Sequence, residues 1–205
     1  MNSYTTVHKA ASFEYEDRRS VFIGEAAPVS TESEALDFLA AMKKKYSDAN
    51  HHVFAYVLRE NQVMRFSDDR EPQGTAGMPT LDAIRKNGIV DAVVVVVRYF
   101  GGTLLGTGGL VRAYSAAAVG ALKNAEIITY DTYVSYEITL SYSDYQKAIT
   151  PIEASGFRKR DILYSDAVTL VGSIKKGEAE AFEKLLVDTT GDRVKIKNCG
   201  EKYEF

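Results

Sequence analysis

The segment Arg98–Ala118 reads RYFGGTLLGTGGLVRAYSAAA and combines a glycine-rich turn with two arginines. It follows the β-branched run Val93–Val97 and opens a helical pattern, which predicts a strand, a turn and then a helix. A helix N-terminus presents unpaired N–H groups and a partial positive charge, and glycines leave those groups uncovered. The segment therefore has the chemistry of an anion-binding turn.

Neither standard nucleotide-binding motif fits this glycine pattern. The dinucleotide motif Gly-x-Gly-x-x-Gly, counted from Gly106, fails because Val111 stands at its third glycine. The nucleoside-triphosphate loop fails because Thr107 follows Gly101 and Gly106 where a lysine is required. Two interpretations remain: a site for an anion or a partner, or glycines that only permit a tight turn and close packing. The predicted binding residues are Arg98, Tyr99, Gly101, Gly102, Gly106, Thr107, Gly108, Gly109 and Arg112, with Gly74 and Thr75 from a second turn.

That second turn, Gly74–Pro79, also opens a predicted helix, and acidic residues precede it. His52, Asp69 and Glu71 are the candidates for a general acid or base there. A metal site built from these acids and a histidine is disfavoured, because His51 and His52 are neighbours in a strand and point to opposite faces. A solvated turn that caps itself is the favoured interpretation. The sequence therefore predicts no metal and no cofactor.

Nucleophilic catalysis has little support in the sequence. Cys199 has no histidine near it in sequence, and Ser115 lies inside an alanine-rich helix rather than on a strained turn. Cys199 is also the only cysteine, so no intrachain disulfide can form. A lone cysteine is typical of a reducing compartment.

Composition excludes several classes of protein. The 205 residues carry 25 basic and 28 acidic side chains, a formal net charge of −3. Residues 1–130 hold 14 basic against 15 acidic side chains, and residues 131–205 hold 11 against 13. Any contact with nucleic acid therefore needs a local basic patch. The longest β-branched apolar run, Ala92–Val97, is far shorter than the ~20 residues of a membrane helix, so we expect a cytoplasmic protein with no membrane partner.

Periodicity divides the chain into two patterned regions with a boundary near Glu126–Tyr133, which predicts domains at 1–128 and 133–205. In the first region we predict strands at Asn2–Asp17, Val21–Ala27, His52–Arg59, Val63–Phe66 and Val93–Val97. We also predict three helices there: one capped by Ser30 or Thr31, one that ends at Asn87–Gly88, and one that spans Gly109–Asn124. In the second we predict strands at Val134–Tyr142, Phe157–Tyr164, Ala167–Ile174 and Arg193–Asn198, a helix capped by Ser143 or Asp144, and a helix around Ala181–Leu186. This β-α-β-β-α-β order is the ferredoxin-like arrangement.

Four segments resemble those of a known family: SDDREPQGTAGMP (Ser67–Pro79), VVVVVRYFGGTLLGTGGLVRAYS (Val93–Ser115), RRSVFIG (Arg18–Gly24) and HHVFAY (His51–Tyr56). In them the chain resembles the bacterial two-domain members of the YigZ/IMPACT family. Two positions depart from the pattern. The family commonly has Gly where Arg70 stands and Cys where Val53 stands. The first departure affects the turn before Glu71, and the second makes a family-wide thiol chemistry unsuited to this chain.

The resemblance implies an α+β fold with two domains. The N-terminal domain would be an α/β sandwich similar to a small-subunit ribosomal protein and to domain IV of elongation factor G, with helices on one face of a sheet. The C-terminal ferredoxin-like βαββαβ domain would resemble domain V of that factor. Translation factors use such pairs to contact ribosomal RNA. Eukaryotic members act by binding a partner protein, which restrains a kinase that regulates translation initiation.

Three functions follow from these patterns. The first is a non-enzymatic binding protein in the regulation of translation, acting through RNA, the ribosome or a protein partner. Its basic contacts would be Arg18, Arg19, Arg98 and Arg112, with Arg158, Lys159 and Arg160 as further candidates from the second domain. The alternative is an enzyme acting on a small anionic substrate at the glycine-loop cleft, with His52 or Glu71 as acid or base. The third is a stable two-domain scaffold whose loops carry no chemistry.

Overall fold

The chain forms two compact units, as seen in a computed structural model that describes residues 3–205. The first unit is Tyr4–Thr129, and Tyr130–Phe205 forms the main part of the second. The units have separate hydrophobic cores. The protein is therefore an α+β protein with two domains. Asn2, the first residue of the predicted N-terminal strand, lies outside the described residues.

Six strands precede the boundary between the units: β1 (Ser3–Val7), β2 (Ala11–Asp17), β3 (Ser20–Pro28), β4 (His51–Val57), β5 (Met64–Ser67) and β6 (Ala92–Tyr99). Five of them form an antiparallel sheet in the order β2-β3-β6-β4-β5. The single N-terminal strand predicted from the sequence is wrong, because it is two strands. The strand is interrupted where the backbone N–H groups of His8 and Lys9 donate to the carbonyl of Ala125, at 3.0 and 3.1 Å.

Three helices complete the first unit: α1 (Glu32–Lys45), α2 (Gly77–Lys86) and α3 (Gly106–Asn124). The predicted cap of α1 is confirmed, since the Thr31 hydroxyl accepts a hydrogen bond from the N–H of Glu34 at 3.2 Å. Helix α3 begins at Gly106, three residues before the predicted start at Gly109. The glycine-rich turn is therefore shorter than predicted, and Thr107 and Gly108 lie in the first turn of the helix.

Strand β6 is buried on both faces, as its β-branched run predicts. Val94 and Val96 pack with α2 and α3 on one face, whereas Val93, Val95 and Val97 pack with α1 on the other. The expectation that all helices lie on one face of the sheet is therefore wrong. A strand with apolar side chains on both faces requires a cover on each side.

The elements of the second unit are β7 (Ile127–Leu140, which begins at the end of the first unit), α4 (Tyr142–Ala154), β8 (Arg158–Tyr164), β9 (Val168–Lys175), α5 (Ala179–Thr190) and β10 (Lys195–Glu204). Its strands run antiparallel in the order β10-β7-β9-β8, and β1 also lies next to β7. This is the predicted ferredoxin-like arrangement. Helix α4 is capped by Ser141, whose hydroxyl accepts from the N–H of Asp144 at 3.1 Å, and not by Ser143 or Asp144. Within residues 3–205, no helix is long and apolar enough to cross a membrane.

Candidate functional site

Glu71 is the centre of a buried polar cluster in the first unit. It lies in the acidic turn after β5, and its Oε1 atom accepts a hydrogen bond from Arg98 Nη1 at 2.6 Å. The Tyr114 hydroxyl, from α3, donates to the same oxygen at 2.8 Å. The side chains of Glu71 and Arg98 are only 4% and 7% exposed. The acidic turn, the end of β6 and the helix that follows the glycine loop therefore meet at one carboxylate.

This cluster makes Arg98 part of the interior. Its guanidinium carbon lies 5.3 Å from the ring of Phe22 and 5.5 Å from that of Phe100, and its Nε atom has no hydrogen-bond partner among the described residues. A buried charge is tolerated when it is paired, and Glu71 supplies the partner. Burial, reinforced by the Glu71 charge, raises the pKa of Tyr114 well above its usual range, so the hydroxyl remains a donor. The structure thus gives Arg98 an ion-pairing role rather than an exposed one.

Asp68 closes the N-terminus of α2. Its carboxylate accepts hydrogen bonds from the backbone N–H groups of Gly74, Ala76 and Gly77, at 2.9, 3.1 and 2.7 Å. Thr75, predicted to bind at this turn, is buried, and its hydroxyl donates to the carbonyl of Pro72 at 2.6 Å. The donors that could hold an external anion at this helix end are therefore satisfied from within the turn.

The two histidines have different surroundings. The Nε2–H of His52 donates to the carbonyl of Tyr46 at 2.9 Å, and its backbone N–H donates to Asp69 Oδ2 at 2.6 Å. His51 donates through Nδ1 to the carbonyl of Asp69 at 2.8 Å, and its Nε2 lies 3.7 Å from Glu71 Oε1. The sequence predicted His52 as the acid or base, but the histidine beside Glu71 is His51. Alternation along β4 indicated that only one of the two histidines could lie beside the acidic turn. The cross-strand pairing of His51 with Arg98 determines that it is His51.

The departures at Arg70 and Val53 fall at very different places. Arg70 has φ +69°, directly after Asp69 at φ +41°, so the position where the family commonly has Gly is one where Gly is unstrained. Val53 is fully buried in the core beneath α2 and α3. A cysteine there would pack as a small apolar side chain. In the part of the chain that the structure describes, no group of three or more His, Cys, Asp or Glu side chains could hold a metal ion.

Most glycines of the loop have a structural reason. A Cβ on Gly101 would lie 2.1 Å from the backbone of Arg19, and the N–H of Gly101 donates to the Ser20 hydroxyl at 3.1 Å. The β2–β3 turn therefore packs directly against Gly101. Gly102 and Gly106 have φ of +80° and +71°. A Cβ on Gly109 would meet the Leu105 side chain at 2.9 Å, whereas a Cβ on Gly108 would lie 4.0 Å from Arg112 Nη1 and would clash with nothing. Close packing therefore does not explain why residue 108 is a glycine.

The first turn of α3 is exposed, and no side chain of the described residues caps it. Arg112 lies over Gly108, with its Nη1 4.0 Å from the place a Cβ would take. Arg18 Nη1 donates to the carbonyl of Leu104 at 3.4 Å, and the Leu104 side chain is 82% exposed. Tyr99, which was predicted to bind at this loop, instead donates its hydroxyl to Asp48 Oδ1 at 2.9 Å. We define the glycine-loop surface as Arg18, Arg19, Leu104, Thr107, Gly108 and Arg112.

Known families match both units. The Impact N-terminal domain matches residues 18–122, and a domain of unknown function, DUF1949, matches residues 138–193. The IMPACT family member YvyE of Bacillus subtilis is 34% identical over 198 residues, which cover 96% of this chain and 91% of that protein. The IMPACT family member YigZ of Escherichia coli is 39% identical over 142 residues, covering 68% of each.

The likeness extends to more distant relatives and to a solved structure. Protein IMPACT of Bos taurus is 35% identical over 94 residues, which are 44% of this chain and 30% of that protein. A solved structure described as "Crystal structure of an hypothetical protein" has a TM-score of 0.61 and 30% identity, and the match covers 96% of this chain and 97% of that chain.

Proposed function

The chain belongs to the YigZ/IMPACT family, and from this premise we propose that it is a cytosolic, non-enzymatic binding protein that acts in the regulation of translation. The role in translation rests on the family resemblance. The observation that carries the binding mode is the glycine-loop surface, where the uncapped N-terminus of α3 lies beside exposed arginines. The buried pair of Glu71 and Arg98 lies in the same unit and is linked to α3 through the Tyr114 hydroxyl.

Phosphate groups of RNA are the partner that this chemistry favours. Bare N–H groups at a helix N-terminus favour anions, and the guanidinium group binds phosphate bidentately. Among the described residues, no acidic side chain forms an ion pair with Arg18, Arg19 or Arg112. Their charges are therefore available to a ligand. Because phosphate contacts carry no sequence information, we expect binding that depends on salt more than on base sequence.

Binding to a labelled single-stranded RNA oligonucleotide and to bacterial ribosomes, across a salt series, tests the proposal. Arg112→Ala is expected to weaken RNA binding and to reduce the slope of log affinity against log salt by about 1. The matched control is Arg85→Ala, on the exposed C-terminal turn of α2, which should leave both quantities unchanged. Affinity that ignores salt and Arg112→Ala would overturn the RNA contact and favour a protein partner at this surface.

A second candidate function, an enzyme acting on a small anionic substrate, is favoured by one observation. Because His51 donates through Nδ1 to a carbonyl, its neutral form has an unprotonated Nε2, which lies 3.7 Å from Glu71. A partly exposed imidazole of this kind can accept a proton from a substrate. A broad metabolite screen tests it with the wild type, His51→Ala, His52→Ala and Glu71→Gln. Turnover that survives all three changes would remove these residues from any mechanism.

A further inference from the structure

A second cluster of basic residues lies in the second unit, around one carboxylate. Lys202 Nζ is 2.6 Å from Glu204 Oε1, Arg160 Nη2 is 3.7 Å from the same oxygen, and Arg158 Nη1 is 3.5 Å from Oε2. The Ser173 hydroxyl lies 3.1 Å from both oxygens and donates to the carboxylate. We call these five residues the Glu204 cluster. Four donors from three strands therefore converge on a single oxyanion.

The strands hold these groups in place. Lys202 and Glu204 are two residues apart in β10, so their side chains lie on the same face of the strand. Arg158 of β8 stands directly opposite Ser173 of β9. The Arg158 guanidinium also lies 4.3 Å above the ring of Tyr133, which is buried. The cluster is therefore part of the sheet rather than a chance meeting of flexible side chains.

The charges of the cluster do not balance. Three cations meet one carboxylate, so the side chains of the cluster carry two more positive charges than negative ones. Within the described residues, no other acidic side chain forms an ion pair with Arg158, Arg160 or Lys202. Arg158 Nη1 also donates to the main-chain oxygen of Phe205 at 3.4 Å. The Arg160 side chain is 64% exposed, which leaves the cluster open to a ligand. One carboxylate thus supplies less negative charge than the site can accept.

A phosphate group matches this imbalance better than a carboxylate does. It carries more negative charge and offers more acceptor oxygens, and arginine binds it bidentately. Ser173 is 2% exposed, so its hydroxyl is a buried donor fixed toward the oxyanion position. Buried donors need an acceptor, and a phosphate oxygen serves as well as Glu204.

We propose that the Glu204 cluster is a phosphate-binding site that the Glu204 carboxylate occupies in the free protein. Rotation of the Glu204 side chain about its own bonds exposes Arg158, Arg160, Lys202 and Ser173 to the incoming phosphate. No covalent step is involved. The site does not rest on the glycine-loop surface, because all its residues belong to the second unit. The phosphate can be a free anion or part of an RNA backbone, and the two sources are separable by experiment.

Glu204→Gln in the full-length chain is the decisive variant. The amide keeps the shape of the side chain but lacks its charge, so it competes less well with phosphate for the three cations. We expect inorganic phosphate, measured by calorimetric titration, to bind up to about fivefold more tightly than to the wild type, the factor that one exposed charge pair supplies. The matched control is Glu201→Gln, also on β10, whose carboxylate pairs with Lys176. It should leave phosphate affinity unchanged.

Two further measurements complete the test. Arg160→Ala, a change at an exposed side chain that folding tolerates, should weaken phosphate binding to the wild type and abolish the gain in Glu204→Gln. A labelled oligouridylate separates the ligand sources. A parallel gain for this RNA assigns the site to RNA, and a gain for inorganic phosphate alone assigns it to a free anion. Unchanged or weaker phosphate binding by Glu204→Gln, or a gain that persists with Arg160→Ala, overturns the proposal. Arg112→Ala, tested with the same RNA, reports on the glycine-loop surface separately.

Discussion

Two helices of the first unit begin after glycine-containing turns, yet their N-termini are treated in opposite ways. At α2 the carboxylate of Asp68 accepts hydrogen bonds from three backbone N–H groups. At α3 no side chain within residues 3–205 caps the first turn, and Gly106, Thr107 and Gly108 are exposed. The backbone N–H donors are therefore filled by the protein at the N-terminus of α2 and left unfilled at the N-terminus of α3. A glycine-rich helix start therefore indicates a ligand only when its N–H donors remain unfilled.

The acidic turn also shows why acidic residues beside a helix start need not be catalytic. Asp68 caps α2, Asp69 accepts from the backbone of His52, and Glu71 accepts from Arg98 and Tyr114. Each carboxylate thus has a structural partner inside the first unit. The open end at α3 has no acidic residue of this kind in its first turn. Four changes would test or refine this contrast.

The largest effect is expected from removing Glu71. Glu71→Ala leaves the Arg98 guanidinium buried without its carboxylate, so we expect the free energy of unfolding to fall by about 3–5 kcal/mol. Urea denaturation followed by circular dichroism measures the change. Asp82→Ala, which removes an exposed carboxylate near Arg85, is the matched control and should cost less than about 1 kcal/mol. Similar losses in the two variants would show that the buried pair is not special.

Opening the closed helix end should have a smaller effect. Asp68→Ala removes the acceptor for the N–H groups at the start of α2, and we expect a loss of about 1–2 kcal/mol in the free energy of unfolding. Hydrogen exchange should also become faster at the amides of Gly74, Ala76 and Gly77. Asp37→Ala, on the exposed side of α1, is the control. Unchanged exchange at these three amides would mean that Asp68 does not cap the helix.

Tyr114 gives the closed cluster a pH dependence. Burial, and then the Glu71 charge, raise its pKa in the folded protein above the value of about 10 in an unfolded chain. The stability that this shift provides is present below about pH 10 and is lost as the pH rises above it. Tyr114→Phe should cost about 1 kcal/mol at pH 7 and flatten the decline in stability above pH 10. Denaturation between pH 7 and pH 11 measures both. The same alkaline slope in wild type and variant would refute the assignment.

The smallest effect on stability is expected at the open end, and it should have the opposite sign. Gly108→Ala adds a methyl group inside a helix, 4.0 Å from Arg112 Nη1 and without a clash, so we expect stability to rise by up to about 1 kcal/mol. The methyl group also covers the bare amides, so RNA affinity should fall by about threefold. Thermal melting and RNA titration measure the two changes. Gly177→Ala, at an open position in the second unit, should leave RNA affinity unaltered. Unaltered RNA affinity in Gly108→Ala would place the RNA contact elsewhere.

Much of the fold could be predicted because its signals are local. The cap at Thr31 depends on Glu34 three residues later, and the alternation from Val134 onward depends on the two-residue period of a strand. The errors have distant causes. The N-terminal strand is interrupted by hydrogen bonds to Ala125, more than a hundred residues away, and α1 lies on the opposite face of the sheet from α2 and α3.

The candidate site was predictable in its residue types but not in its connections. Sequence alone indicated the acidic turn, the glycine loop and the arginines around them. It could not indicate that Glu71 and Arg98, 27 residues apart, share one hydrogen bond, or that Arg98 is buried while Arg112 is exposed. The choice between His51 and His52 likewise depends on the register between β4 and β6.

The sequence by itself determined the order of the strands and helices except for the division between β1 and β2. It also determined the two-domain division of its patterns and the absence of both standard nucleotide motifs from the glycine loop. These properties depend on neighbouring residues, on helix and strand periods and on caps. Only the tertiary structure decided which helix N-terminus is filled and which is bare. That outcome depends on which side chains the sheet register and the packing of α2 and α3 bring within hydrogen-bonding distance. At α2 they bring a carboxylate, and at α3 they leave Gly108 and Arg112 facing solvent.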